Sequence, residues 1–64
     1  MLNNSSDIIR RLEREGWRCV RTTGSHHVFK KPGVRDIITV PHPKKNFGPG
    51  LVLTIYKQAG WPRD

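Results

Sequence analysis

Sixty-four residues, 34% of them hydrophobic, allow one small core, near the lower end of what folds without disulfides or metal. Twelve Lys/Arg against five Asp/Glu give a net charge of +7, a field that draws phosphates or an acidic partner and leaves the fold undecided. The single cysteine, Cys19, excludes an intrachain disulfide framework and a cysteine cluster for zinc. No stretch approaches the roughly 20 apolar residues of a membrane span, and the N-terminus lacks the apolar segment of a secretion signal. The expectation is a cytoplasmic protein with no membrane association, formed as one domain over residues 1–64.

Ser5 or Ser6 is placed to cap a first helix that carries Asp7 in its first turn. Ile8, Ile9 and Leu12 form its apolar stripe, Arg10, Arg11, Glu13 and Arg14 its polar face, and Gly16 its stop, so the helix covers about residues 6–15. After Gly16 the period changes to two, with Trp17, Cys19 and Arg21 alternating with Arg18, Val20 and Thr22 as in a half-buried strand. Thr23-Gly24-Ser25 is a turn, residues 26–31 a second strand, Pro32-Gly33 a break, and residues 36–40 a β-branched third strand. Short turns make the three strands an antiparallel meander.

Residues 41–50 are a loop by composition, with three prolines and two glycines. A second helix begins at Pro49 or Gly50 and ends at Gly60, with Leu51, Ile55 and Ala59 on its stripe and Val52 and Tyr56 flanking it. Trp17 and Trp61 read as core or core-edge residues, whereas Phe47 in the loop has no clear assignment. The fold class that follows is α+β, a two-layer α-β-β-β-α arrangement in which both helices lie on one face of the sheet and the other face is open.

His26, His27 and His42 are spaced unlike a metal site, because neighbours on a strand point to opposite faces, and neither a metal nor a cofactor is expected. His27 shares its face with Phe29, the residue most in need of burial, and so reads as a partly buried member of a hydrogen-bond network. His26 then looks out with Val28 and Lys30. Its company suggests chemistry: Gly24 and Ser25 set the entry to its strand, Lys30 and Lys31 follow it, and Lys44 and Lys45 stand as phosphate-binding charges on a proline loop. RNA carries its own nucleophile, the 2′-hydroxyl, so its cleavage needs a base near neutral pKa and cations for the charged phosphorane. Histidine has that pKa. His42 is a second acid or base if the fold brings it near His26, and His26 remains open to the bland reading of an exposed histidine on a basic surface.

The helix ending in Glu-Gly-Trp, the "RTTGSHHVF" segment, the "ITVPHPKK" strand and loop and the closing "GLVLTIYKQAGW" helix together resemble the HicA mRNA interferase toxins, also called YcfA-like proteins. The resemblance spans almost the whole chain in order. It implies a fold similar to a double-stranded-RNA-binding domain, and a ribosome-independent, metal-free endoribonuclease that acts on mRNA. It also implies a cognate HicB-type antitoxin, part of a type II toxin–antitoxin system. The family's active-site histidine maps onto His26, and His27 stands beside it. The chain departs from the family at Gly50-Leu51, where members often carry Gly-Thr, and at the preceding Gly48-Pro49.

The expected assignment is therefore an endoribonuclease toxin with His26 catalytic, His27 and His42 in lesser candidacy, and Gly24, Ser25, Lys30, Lys31, Lys44 and Lys45 holding RNA. Its antitoxin should present an acidic contact surface. The competing readings are a non-catalytic RNA-binding module and an interaction protein for an acidic partner.

Overall fold

The computed structural model describes residues 1–64. It contains α1 (Ser5–Arg14), β1 (Arg18–Thr23), β2 (His26–Lys30), β3 (Ile38–Pro41) and α2 (Pro49–Ala59). The strands form one antiparallel sheet in the order β1-β2-β3. Both helices lean on β3, and Ile8 and Leu12 of α1 meet Val52, Ile55 and Tyr56 of α2 over Phe29, Ile38 and Val40 of the sheet. This is the expected two-layer α+β architecture, with one face covered.

Several local expectations shift. Asn4, not Ser5 or Ser6, caps α1: its side chain accepts from the Asp7 amide at 2.9 Å, and its amide nitrogen donates to the Asp7 carboxylate at 2.8 Å. Asparagine is as good a cap as serine, and moving the cap back one residue turns Ser5 inward, where it is 1% exposed. In α2 the buried stripe is Val52, Ile55 and Tyr56, while Leu51 and Ala59 lie at its margin. Strand β3 begins two residues later than its β-branched run suggests and continues to Pro41.

Strand β1 is exposed along its whole length rather than half-buried. It stands at the side of the sheet away from β3, where the helices rest, and a break in register between Cys19 and Arg21 leaves Val20 unpaired against β2. Only Trp17, just before the strand, enters the core. On the open face Val28 pairs with Thr39 and is nonetheless buried, sheltered in a shallow groove with Val20, Arg21, Lys30 and Ile37.

The loop after β3 is fastened to the start of α1. The Ser5 amide donates to the Lys44 carbonyl at 2.9 Å and the Phe47 amide to the Asn3 carbonyl at 2.7 Å. Phe47 is buried in the core, which resolves its role as an anchor. At the other end of α1, the Trp61 indole donates to Glu15 at 2.7 Å, and the Arg11 guanidinium sits 4.2 Å from the Trp61 ring.

Candidate functional site

The end of the sheet where β2 begins and β3 finishes collects the histidines. Gly24 and Ser25 are a two-residue hairpin turn between the paired residues Thr23 and His26, and Gly24 takes φ +57°, a conformation costly for any residue with a Cβ. Across the next ladder His26 faces Pro41 and His27 faces Val40. The alternation is therefore the expected one: His27 shares the covered face with Phe29, and His26 the open face with Val28 and Lys30.

The His26 side chain is exposed and makes no hydrogen bond within the protein. Lys30 lies four residues along the same face, about 13 Å away at the usual strand rise, so a cation and an imidazole stand at the two ends of β2. Val20, Arg21, Val28 and Ile37 line a shallow groove with Lys30. That face carries an imidazole at one end of β2 and a lysine at the other.

His27 is half-buried, but the hydrogen-bond network predicted for it belongs to its neighbour. The His27 and His42 rings meet edge to face with centroids 5.1 Å apart. His42 Nδ1 lies 2.7 Å from the Ser5 hydroxyl, which also accepts from the Lys44 amide at 2.9 Å and is 3.1 Å from the Lys44 carbonyl. The His42 amide in turn donates to the Ser25 carbonyl at 2.7 Å, which ties the loop to the hairpin turn. His42 is thus brought to the same end of the β2–β3 ladder as His26, on the opposite face.

Of the cations, Lys44 and Lys45 have exposed side chains beside Asn4, Ser5 and Ser6, around a shallow cleft at the start of α1. Lys31 is elsewhere. Its stem passes over Gly16, and its charge acts on Glu15, at the opposite end of α1. Burial pushes the Glu15 carboxyl up, but hydrogen bonds from Trp61 and Arg11 and the charges of Arg11 and Lys31 outweigh it and hold the group below its ordinary value of 4.5. No three His, Cys, Asp or Glu side chains converge closely enough to hold a metal ion.

Ser5 is the site residue that the sequence reading missed. The signal was present in the run Asn3-Asn4-Ser5-Ser6, where an equally good capping residue precedes the serines and frees one of them for another partner.

The model of the HicA toxin family of bacterial toxin–antitoxin systems matches residues 5–61. A solved structure of a HicA3 and HicB3 toxin–antitoxin complex contains a similar chain, 42% identical with a TM-score of 0.79, covering 95% of this chain and 98% of that one. No curated protein matches the chain.

Proposed function

This chain belongs to the HicA toxin family, and from that premise we propose that it is an endoribonuclease that cuts mRNA without a ribosome or a metal ion and is silenced by a HicB-type antitoxin. The observation that carries the proposal is the placement of His26. It follows a tight glycine turn, stands exposed on the uncovered sheet face and spends neither ring nitrogen on the protein.

The chemistry follows from the substrate. A histidine moves a proton as the 2′-oxygen of RNA bonds to phosphorus and the bond from phosphorus to the 5′-oxygen breaks. Lys30 and the Lys44-Lys45 pair hold flanking phosphates, with Lys31 adding only to the general positive field. The products are a 2′,3′-cyclic phosphate, or the 3′-phosphate it opens to, and a 5′-hydroxyl. A substrate with 2′-deoxy at the scissile nucleotide is inert, and efficient cutting of it would rule the mechanism out.

The deciding experiment is incubation of the purified protein with RNA in EDTA. Cleavage that disappears in His26→Ala with the fold retained supports the enzyme, whereas a gel shift without cleavage supports the RNA-binding module. The antitoxin partner follows the HicB3 of the similar complex. A nuclease with a charge of +7 acting on its own cell's mRNA requires a cover, which we place over His26 with acidic groups against Lys30, Lys44 and Lys45, since complementary charge speeds association and fixes register. The protein and its partner act in the cytoplasm, where mRNA is found, and no helix is long and apolar enough to cross a membrane. A purified complex that cuts RNA as fast as the free protein overturns steric inhibition.

A further inference from the structure

In an antiparallel pair, residues directly opposite each other place their side chains close together on one face. Arg18 of β1 stands opposite Lys30 of β2 in this way, on the open face, and both are exposed. Like charges so placed repel and destabilise the folded state. No carboxylate relieves them: the ion pairs of the molecule are Asp7 with Arg10, Glu15 with Arg11 and Asp64 with the N-terminal amine. Arg21 is equally without a carboxylate partner, and Asp36, next to Ile37 in sequence, pairs with none of the three. Two opposed cations without a counter-ion form a seat for an anion.

The break in register beside this pair adds a second feature. Val20 and Arg21 are consecutive, and in a regular strand they would point to opposite faces. The skipped pairing between Cys19 and Arg21 turns both toward the groove they share with Val28, Lys30 and Ile37. Its aliphatic lining is open to solvent, with Val20 55% and Ile37 44% exposed. A flat ring carrying a negative charge fits this combination. The ring covers the aliphatic carbons and lies against the planar Arg21 guanidinium, while the charge sits between Arg18 and Lys30.

We propose that the open face carries a subsite for one nucleotide of single-stranded RNA, its phosphate held between Arg18 and Lys30 and its base lying in the groove against Arg21. For its relation to His26 the subsite rests on the ribonuclease reading. Strand β2 runs from the subsite to His26, with Val28 about 7 Å and Lys30 about 13 Å from it along the same face at the usual rise. Phosphates recur along an extended single strand at intervals of that order, so the nucleotide in the subsite is a near neighbour of the one cut. Repeated phosphates along β2 favour RNA over an acidic peptide as the occupant, and a base in the groove gives the protein a means of choosing where it cuts.

The probe is a short single-stranded RNA methylated at every 2′-oxygen, which no 2′-hydroxyl reaction can cut. Arg18→Gln with Lys30→Gln keeps both stems and should weaken binding at low salt by about tenfold or more. The salt dependence should flatten by about 0.7 in log–log slope, the share of one phosphate. The double variant should melt no lower than wild type, because it loses a repulsion; an affinity loss that comes with a clearly lower melting point overturns the proposal in favour of a structural pair. Unchanged affinity overturns the shared seat, as does a slope flattened by about 1.4, which two separate phosphate contacts require. A double variant that binds RNA like wild type but loses hold of the acidic antitoxin assigns the pair to the protein partner instead.

The base is tested with the same oligonucleotide stripped of its bases. Their removal should cost the wild type about fivefold or more in affinity, and should cost Val20→Asp, at an exposed position, clearly less. Where Val20→Asp does not fold, Arg21→Gln reads the same difference. An equal cost in wild type and variant overturns the seating of a base in the groove. None of these affinities depends on cleavage, so a wild type that fails to cut RNA in EDTA removes the ribonuclease reading while the binding data still decide the subsite.

Discussion

The two faces that meet at the end of β2 differ in how much of the protein is committed to them. On the open face the His26 side chain is exposed and unbonded, and farther along the same face Lys30, Arg21, Val20, Val28 and Ile37 line a shallow groove. On the covered side His42 is held by Ser5, the same hydroxyl fastens Lys44, and Phe47 pins the loop to the core. The first is a surface whose imidazole no hydrogen bond within the protein restrains. The second is a rigid bracket whose geometry exists before anything binds, and preorganisation of this kind removes an ordering cost from the binding step.

The sharpest way to break this contrast is to remove one imidazole from each side. His26→Ala should lower cleavage by about 10²-fold or more and leave thermal stability unchanged, because the ring makes no internal hydrogen bond. A His26→Ala protein that melts well below wild type would mean that the open face is structural after all.

Ser5→Ala reverses the pattern. It strips the acceptor from the Lys44 amide and a partner from His42 at a buried hydroxyl, at a cost of about 1–3 kcal/mol. Calorimetry reads that as a melting temperature lower by about 4–8 °C per kcal/mol for a domain of this size. An unchanged midpoint would mean that water replaces the hydroxyl, and that the bracket is looser than its distances suggest.

A smaller effect sharpens the assignment of cations. Lys44→Ala with Lys45→Ala should flatten the salt dependence of single-stranded RNA binding by about 0.7 in log–log slope for each phosphate no longer neutralised. Lys31→Ala, at the far end of α1, should leave the slope nearly as it was. Equal changes for both would show that RNA reads the overall charge rather than the loop.

The smallest effect lies at the Glu15 clasp, away from both faces. A carboxyl with a depressed folded-state pKa contributes stability that is full above its unfolded value and lost as pH falls through the folded value. Melting curves taken below pH 4.5 should therefore decline less steeply in Glu15→Gln than in wild type. The group is partly exposed, so the difference is modest, and parallel declines would assign the acid sensitivity to other carboxylates.

Much of this arrangement was legible in the sequence. The apolar spacing of Ile8 and Leu12, the period-two run at residues 26–29 and the glycines at 16, 24 and 60 determined the element order and the opposite facing of His26 and His27. Local pattern carries such features because each depends on a few neighbouring residues. The partnership of Ser5 with residues 42 and 44 joins positions 37 and 39 apart in the chain, and no periodicity encodes it. The rotation of the buried stripe on α2 was hidden for a related reason: Leu51, Val52, Ile55, Tyr56 and Ala59 form a broad apolar arc, and only the fit against β3 and α1 selects its centre.

The skipped pairing at Val20 bears on how copies of the protein behave toward one another. An outermost strand with free backbone groups is a template on which a second sheet can grow. Strand β1 is outermost and fully exposed, but its register slips at Val20, and Arg18 and Arg21 stand on either side of the slip. A second molecule approaching edge to edge meets an uneven ladder and like charge, which disfavours stacking of sheets into fibres at high concentration. Deleting Val20 straightens the ladder, and sedimentation of that variant should reveal larger species than the wild type forms.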